Sequence, residues 1–220
     1  MREASRLNDL AIDQVIQLCA KGNLTEIEVS KQVAGIFQSL GCSGNSFEPI
    51  VAYGANGADG HHEGDDSLLK PGDSIVIDMG GMYQGYCSDM TRTVFYKEVS
   101  DEQRKVYDLV RKANEIAEAM IKPGVKLCDI DKAARDVISE AGYGENFNHR
   151  LGHFIGRNVH EYGDVSATFD MEVEPGMIFS IEPGIYLQGD FGVRIEDLVL
   201  VTEDGCEILN SYTKDLLVIG

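Results

Sequence analysis

The sequence predicts an α+β fold made of two halves, each of which runs from helices into strands. Apolar residues recur with a helical period over about residues 10–40 and again over about 106–141, and short strand-like runs follow each stretch. The 220 residues, 43 % of them apolar, are enough to bury a substantial core. The repeated order suggests an internal duplication that sequence identity no longer shows.

The first half begins with two predicted helices. Apolar residues from Leu10 to Leu18 indicate the first helix, and a second run from Leu24 continues to Gly41, which ends it. The runs FEPIVAYG and SIVIDMG are then predicted to be strands, the second introduced by the turn Pro71-Gly72-Asp73. The aromatic and β-branched stretch MYQGYCSDMTRTVFY predicts one or two further antiparallel strands.

The second half repeats this order. Ser100 with Gln103 forms a capping-box pattern before a long helix that Pro123-Gly124 ends. Another helix is expected from about Asp129 to Ala141, closed by Gly142. The segment 143–172 has poor periodicity and is expected to contain functional loops. The last third predicts strands in MIFSIEPGIYL, FGVRIEDLVLVT, CEIL and LLVI.

Composition excludes several classes of function. The formal net charge of −18 would repel a polyanion, so no nucleic-acid partner is expected. No apolar run reaches the roughly 18–20 residues of a membrane helix, and no signal peptide is visible, so we expect a cytoplasmic protein without a membrane partner. The five cysteines are scattered and never form C-x-x-C, which argues against disulfides and a thiolate zinc site.

The histidines are concentrated in two short windows. A single histidine is more often structural than a ligand, but clustering raises the weight of a functional interpretation. Gly152 and Gly156 argue against the continuous helix that an H-E-x-x-H zinc site requires. The two windows contain His61 and His62, then His149, His153 and His160.

Four carboxylates occur in strand-like contexts, where acidic residues are depleted. An ionised carboxylate in a buried strand is costly unless it is paired or binds a metal. One of them could pair with Arg92 or Arg194, but four together with a histidine cluster indicate a shared cation site. Such donors suit Mn, Co, Fe or Zn, and enough oxygens are present to hold two ions about 3.5–4 Å apart. These carboxylates are Asp78, Asp89, Glu182 and Glu196.

Four motifs carry a resemblance to a known family. They are VIDMGGMYQGYCSDMTRT, HRLGHFIGRNVHE, FSIEPGIY and GVRIEDLVLVT. In this order and spacing the chain resembles, over essentially all 220 residues, the catalytic domain of the pita-bread metallopeptidases. That group contains methionine aminopeptidase, Xaa-Pro aminopeptidase and Xaa-Pro dipeptidase (prolidase). The resemblance implies a pita-bread fold, with two pseudo-symmetric α/β halves around a curved antiparallel sheet.

The resemblance also implies roles for individual residues. Glu182 corresponds to the proton shuttle, and His160 to the histidine that faces the scissile carbonyl or its oxyanion. His61, rather than His62, has the family's spacing of seventeen residues before the first ligand. His61 is expected to be catalytic together with Glu182 and His160. The residues expected to contact substrate are His61, His149, His160, Tyr186 and Arg194, of which Tyr186 and Arg194 also order the bridging site. The implied metal ligands are Asp78, Asp89, His153, Glu182 and Glu196, of which Asp89 and Glu196 bridge two ions.

Within the family, the stretches R-I-E-D and Y-Q-G-Y-C-S-D-M-T-R-T are typical of the Xaa-Pro branch. The expected function is therefore an exopeptidase that acts on proline-containing peptides with two divalent ions, Mn being favoured over Co, Fe or Zn. A homodimer is expected by the same resemblance. The alternatives are a methionine aminopeptidase-type activity and a metal-free peptide-binding module.

The chain departs from the family pattern in two respects. Phe154 stands where glycine is common, and Arg157 replaces an apolar residue; Phe154 is expected to narrow the substrate pocket or to move its loop. The chain also lacks the N-terminal domain usual in this branch. We therefore expect residues 1–220 to be a single catalytic domain without its upstream domain.

Overall fold

The structure, a computed structural model, describes residues 1–220. Two helices, five strands and a short 3₁₀ helix make up the first half. The helices are α1 (Arg2–Cys19) and α2 (Glu26–Ser39). The 3₁₀ helix Gly54–Ala58 follows the first strand. The strands are β1 (Ile50–Tyr53), β2 (Ser74–Met79), β3 (Met82–Tyr83), β4 (Tyr86–Cys87) and β5 (Met90–Tyr96).

The second half has the same order of elements. Its helices are α3 (Asp101–Met120) and α4 (Leu127–Glu140), followed by a 3₁₀ turn at Gly144–Asn146. The strands are β6 (Gly152–His153), β7 (Asp164–Val165), β8 (Ile178–Ile181), β9 (Gly184–Leu187), β10 (Phe191–Arg194), β11 (Asp197–Val201), β12 (Cys206–Ile208) and β13 (Val218–Ile219). No helix has the length and apolar character needed to cross a membrane.

The strands pair almost entirely in antiparallel fashion. The order in the first half is β1-β2-β5-β13, and in the second half β12-β11-β8, with β9 and β10 forming a separate hairpin. The exception is β13, which runs parallel to β5. The predicted strand LLVI is thus shorter than expected, since only Val218 and Ile219 pair, and it returns to the sheet of the first half.

Side-chain caps fix the starts of two helices. Ser100 Oγ accepts the Gln103 N–H at 3.1 Å, and the Gln103 side chain accepts the Ser100 N–H at 2.9 Å, which confirms the predicted capping box. Thr25 and Glu28 form the same reciprocal pair at the start of α2. The sequence contains this second cap as T-E-I-E, which the apolar periodicity alone did not single out.

Two apolar clusters of similar size form the core. One cluster of 19 buried residues packs α1 and α2 against β1, β2 and β5. The other, of 23 buried residues, packs α3 and α4 against the strands of the second half. The prediction of two halves with one plan is therefore confirmed. All five cysteines are free thiols, as expected.

Two predicted continuous strands are in fact interrupted. Between β8 and β9 the pairing stops at Glu182 and Pro183, and proline cannot donate a ladder hydrogen bond. Between β10 and β11 it stops at Ile195 and Glu196. Each interruption places a glutamate between two strands instead of within one, and both glutamates line the same cavity.

Candidate active site

A cavity of about 500 Å³ lies between the two halves. Phe47, Ile50, Gly60, Arg150 and Val159 complete its wall. The structure thus brings together every site residue singled out from the sequence. These are Asp78, Asp89, His153, Glu182 and Glu196, with His61, His149, His160, Tyr186 and Arg194.

Each half contributes part of the acidic cluster. Asp78 belongs to β2 and Asp89 directly precedes β5, both in the first half. His153 in β6 and the two glutamates at the strand interruptions come from the second half. Gly152 allows β6 to lie against β8, because a Cβ at that position would stand 1.9 Å from the Ser180 carbonyl oxygen. The site therefore exists only where the halves meet.

The ring of His153 is oriented so that one nitrogen faces the carboxylates. Its Nδ1 lies 3.2 Å from the Phe154 carbonyl oxygen, an acceptor, so Nδ1 carries the proton and Nε2 carries a lone pair. Nε2 lies 3.5 Å from Asp89 Oδ2 and 3.6 Å from Glu182 Oε1. A ligating histidine has this arrangement, with its second nitrogen bound to a backbone carbonyl.

Several carboxylate oxygens in the cavity wall have no hydrogen-bond donor. Asp78 Oδ1, Asp89 Oδ1 and Glu196 Oε1 are buried without a partner. Burial, reinforced by the neighbouring carboxylates, raises the pKa of Asp89 and of Glu196 well above the ordinary range. Burial also raises the pKa of Glu182. Acceptors facing one another without a donor are costly, and a cation between them would remove that cost.

The donor set fits a divalent metal. Ligand atoms of Asp89, His153 and Glu196 all lie within 4.8 Å of one another. Metal–ligand bonds of about 2.0–2.2 Å to oxygen and nitrogen place ligand atoms at comparable mutual distances. Carboxylates with one imidazole and no thiolate suit Mn, Fe, Co or Zn. The unpartnered oxygens and the His153 lone pair together match what such an ion requires.

Arg194 connects the acidic cluster to the opposite wall. One guanidinium nitrogen donates to Asp78 Oδ2 at 2.7 Å, and another donates to the Tyr186 hydroxyl at 2.9 Å. Its Nε donates to Thr91 Oγ1 at 3.1 Å, and Thr91 in turn donates to Glu196 Oε2 at 2.8 Å. Arg194 therefore fixes one oxygen of Asp78 directly and one of Glu196 through Thr91, which leaves their other oxygens facing the cavity.

His149 is held neutral on the same wall. Its Nδ1 lies 2.7 Å from the Arg150 carbonyl and so donates, while Nε2 accepts from the Tyr186 hydroxyl at 2.9 Å. Burial, with Arg194 nearby, lowers the pKa of His149 to about 4. Both nitrogens are thus engaged within the protein, and His149 acts on the cavity through its orientation of Tyr186 and its uncharged ring.

The remaining histidines differ in their environments. His160 is exposed on one side and meets the His153 ring edge-to-face at 4.4 Å between centroids. Partial burial, with His153 nearby, lowers the pKa of His160. His61 lines the cavity, whereas His62 turns away to Glu26 Oε2 at 2.7 Å. The preference for His61 over His62 agrees with this geometry.

The sequence did not identify Ser180 and Thr91 as site residues. Ser180 Oγ accepts the His153 N–H at 3.0 Å and donates to Glu182 Oε1 at 3.2 Å. Each hydroxyl lies two residues from an acidic candidate, Ser180 before Glu182 and Thr91 after Asp89, so strand periodicity could have placed it on the same face.

Of the two effects expected of Phe154, a narrower pocket and a moved loop, the first is wrong. The Phe154 ring is absent from the cavity wall and packs on Phe179 at 5.5 Å between centroids, because the side chain turns into the apolar core of the second half. Arg157 is exposed and also lies outside the wall.

Comparison with known proteins identifies relatives of the chain. The model of metallopeptidase family M24 matches residues 1–203. An uncharacterized peptidase of Staphylococcus aureus (strain USA300) is 44 % identical over 214 residues, which are 97 % of this chain and 61 % of the relative. The chain therefore spans about three fifths of the length of such relatives.

Solved structures give the same result. An X-Pro aminopeptidase from Thermotoga maritima MSB8 superposes with a TM-score of 0.96 at 38 % identity, covering 100 % of this chain and 62 % of that one. An Xaa-Pro dipeptidase from Bacillus anthracis gives a TM-score of 0.97 at 36 % identity, covering 100 % and 61 %. These matches confirm the predicted fold.

Proposed function

Because the chain belongs to metallopeptidase family M24, we propose that it is a two-metal exopeptidase that cleaves the Xaa-Pro bond of dipeptides or of peptides with an N-terminal Xaa-Pro. The observation that carries the proposal is the set of buried acceptors facing one another without donors: the His153 lone pair and free oxygens of Asp78, Asp89 and Glu196. The names of the similar aminopeptidase and dipeptidase structures support the choice of bond.

In this proposal five side chains, among them Asp89 and Glu196, would hold two divalent ions. When bound, the ions supply a water activated near neutral pH and a Lewis acid for the scissile carbonyl. Arg194 keeps its proton at any working pH and holds Asp78 in place by their 2.7 Å contact. Thr91 holds Glu196 in place by donating a hydrogen bond to its Oε2 at 2.8 Å. The ligands are Asp78, Asp89, His153, Glu182 and Glu196.

Glu182 is the proton carrier. In the metal-free chain burial raises its pKa above that of an ordinary glutamate. It accepts a proton from the attacking water and passes it to the leaving proline nitrogen. Ser180 orients it by donating to Oε1 at 3.2 Å. A second proton carrier is unnecessary, because one carboxylate serves both steps in turn.

The histidines act on the substrate in their neutral forms. The lowered pKa of His160 keeps its ring uncharged at pH 7, so it can donate an N–H to the carbonyl oxygen as negative charge develops there. His61 and Tyr186 contact the peptide, and His149 orients Tyr186 by their 2.9 Å hydrogen bond. Proline's tertiary amide offers no N–H, so this site needs no acceptor for one.

The proposal extends to the ion, the partner and the location. We take manganese as the working ion, proline-containing peptides as substrates, a homodimer as the assembly and the cytoplasm as the location. The oxygen-rich donor set is compatible with the first, and the similarity to an X-Pro aminopeptidase and an Xaa-Pro dipeptidase supports the second. The net charge of −18 makes a nucleic-acid partner unfavourable.

The test compares Glu182→Gln with the wild-type chain and with Glu174→Gln. Glu174 is an exposed acid outside the cavity, which makes it a matched control. Metal-free protein is loaded with Mn²⁺, bound ions are counted, and hydrolysis of Ala-Pro, Ala-Pro-Ala and Met-Ala-Ser is followed. We expect wild type and Glu174→Gln to cleave a proline substrate, and Glu182→Gln to lose about 10³-fold or more in kcat.

Three results would contradict the proposal. Wild-type turnover by Glu182→Gln removes that residue from proton transfer. Cleavage of Met-Ala-Ser alone favours a methionine aminopeptidase-type activity. Failure to bind Mn²⁺, Co²⁺, Fe²⁺ or Zn²⁺ at millimolar concentration favours a metal-free peptide-binding module.

A further inference from the structure

A second polar cluster lies behind the strands that carry the acidic cluster, on the side away from the cavity. Its members are almost completely enclosed, since Asn114 and Asp197 are 0 % exposed and Arg92 is 1 % exposed. None of them lines the cavity. We call this cluster the rear network; it consists of Arg92, Asn114, Glu118, Asp197 and Lys214.

Lys214 is the centre of the rear network. Its ammonium nitrogen lies 2.7 Å from Asn114 Oδ1, 2.7 Å from Glu118 Oε2 and 2.8 Å from Asp197 Oδ2. The contact between Lys214 Nζ and Asp197 Oδ2 is an ion pair without the angles of a hydrogen bond. The stem and ammonium are largely covered, with 17 % of the side chain exposed. One buried cation therefore faces two buried carboxylates and an amide.

One arm of the rear network leads from Lys214 to the backbone beside Glu182. Asn114 accepts from Lys214 through Oδ1 and donates through Nδ2 to the Ile181 carbonyl at 2.9 Å. Ile181 is the last residue of β8 and directly precedes Glu182. Because both ends of the Asn114 amide are bound, the lysine fixes which way the amide points and so keeps its donor on that carbonyl.

The other arm leads to the backbone of Glu196. Asp197 Oδ1 accepts from Arg92 at 2.7 Å, and a second guanidinium nitrogen of Arg92 donates to the Glu196 carbonyl at 2.6 Å. Arg92 also donates to the carbonyls of Tyr212 and Thr213, which tie the segment carrying Lys214 to the same place. Both glutamates that face the cavity are thus bound from behind.

We propose that Lys214 is a positioning residue that sets the backbone of both candidate metal-binding glutamates, Glu182 and Glu196, through Asn114 and Asp197. The inference rests on the proposed function for its consequence in catalysis, but its geometric part concerns the folded chain alone. Lys214 lies beyond residues 1–203, the span matched by the family model, so that span does not include the cation that completes this network.

Loss of the cation has a definite physical consequence. Without the ammonium, Asp197 would keep Arg92 as its one cationic partner, Glu118 would lose the charge that lowers its already raised pKa of about 7, and Asn114 would lose the partner that orients its amide. The two arms would then relax, and the strand ends at Ile181 and Glu196 would lose definition. Disturbed support of a ligand typically costs about 10–100-fold in metal affinity or activity.

The test is Lys214→Met, which keeps an unbranched side chain one atom shorter than lysine and removes the charge. Hydrogen exchange is measured on the metal-free chain at two amides, Glu182 N–H, bonded to the Leu151 carbonyl at 2.8 Å, and Glu196 N–H, bonded to the Thr91 carbonyl at 3.0 Å. We expect exchange at both amides to accelerate at least tenfold relative to amides inside α2. Mn²⁺ affinity, measured by calorimetry, should fall about tenfold.

Two further variants separate positioning from general loss of stability. Tyr107→Phe removes the hydroxyl that donates to the Lys214 and Asp215 carbonyls at 3.2 Å, so it loosens the same segment without touching either arm. The double variant Lys214→Met/Glu118→Gln removes the surplus negative charge and restores stability, but leaves Asn114 and Asp197 without the lysine.

The proposal is supported if Tyr107→Phe leaves both amides and Mn²⁺ affinity within twofold of wild type, while the double variant retains fast exchange and weak Mn²⁺ binding. It is overturned if Lys214→Met or the double variant binds Mn²⁺ like wild type with unchanged exchange at both amides. Because neither readout uses a peptide substrate, an inactive wild type would contradict the proposed function without deciding the role of Lys214. In an active chain we expect the loss in kcat to exceed the change in KM.

Discussion

Glu196 and Asp197 are consecutive residues with opposite surroundings. Glu196 faces the cavity with one oxygen unpartnered, and burial raises its pKa well above the ordinary range. Asp197 faces the rear network, where Arg92 and Lys214 hold its pKa below the ordinary value despite complete burial. Successive side chains of an extended chain point to opposite sides, so these two neighbouring carboxylates lie in different environments.

The difference distinguishes two uses of a buried carboxylate. In the rear network, cations of the chain neutralise the acids, and the result is a rigid support. In the cavity, the acids outnumber the donors, and the protein folds with a charge imbalance that an external cation can relieve. Such an arrangement costs stability and provides binding, which is typical of functional sites.

The largest expected effect comes from the cavity side. Glu196→Gln keeps the size of the side chain but removes the charge shared by the proposed ions. We expect kcat/KM for Ala-Pro to fall by about 10³-fold or more, with weaker Mn²⁺ binding. Activity and calorimetric titration check this together. Unchanged Mn²⁺ stoichiometry and turnover would show that Glu196 is not a ligand.

The corresponding substitution in the rear network is expected to lower the free energy of unfolding. Asp197→Asn leaves Arg92 and Lys214 as buried cations without their shared partner, and breaking a buried pair in this way costs about 3–5 kcal/mol. Urea unfolding of the metal-free chain measures it. Asp204→Asn, in the exposed turn before β12, is the control and should stay within about 0.5 kcal/mol. A loss below about 1 kcal/mol for Asp197→Asn would contradict the comparison.

The pH dependence of stability tests the wall of the cavity. The pKa of His149, about 4 in the folded chain, lies below its unfolded value of about 6.5. The unfolded state therefore binds the proton first, and the His149 contribution to stability falls as pH is lowered from about 6.5 to 4. The slope reaches about 1.4 kcal/mol per pH unit.

His149→Gln removes this titration and can keep both hydrogen bonds, to the Arg150 carbonyl and the Tyr186 hydroxyl. Urea unfolding in EDTA between pH 4.5 and 7 should therefore give a flatter profile for the variant than for the wild type. Parallel profiles would mean that His149 titrates normally in the folded chain.

The smallest predicted effect tests the repulsion between the carboxylates of the cavity. In EDTA, Glu196→Gln should raise the Tm at pH 7.5 by about 2–4 °C, since it removes one of the mutually repelling carboxylates. A carboxylate with a raised folded pKa loses its penalty as pH falls through that value. The advantage of Glu196→Gln should thus shrink on acidification. An equal advantage at pH 5 and pH 7.5 would contradict the electrostatic explanation.

Sequence reasoning succeeded where local chemistry decides the structure. The Ser100–Gln103 cap, the turns at glycine and the apolar periods placed the four helices and the two halves. Acidic residues at the ends of apolar runs indicated a shared cation site, because a buried carboxylate is costly unless it is paired or binds a metal.

The parts that sequence reasoning missed depend on distant partners. Lys214 meets Asn114 and Glu118 about a hundred positions away along the chain, and nothing local distinguishes it from a surface lysine. Phe154 was interpreted as a pocket residue because it stands where glycine is common beside His153, but its ring packs on Phe179 against the core of the second half. The breaks at Pro183 and Glu196 divided strands whose apolar pattern is continuous.

The division of the acidic cluster between the halves has a consequence for folding. Asp78 and Asp89 approach the three proposed ligands of the second half only when contacts between distant parts of the chain have formed, and such contacts form slowly. A half-folded chain would carry two of the five proposed ligands at one place and three at another. In a refolding experiment, Mn²⁺-dependent hydrolysis would therefore return after helical content, and hydrolytic capacity would be confined to molecules whose halves have docked.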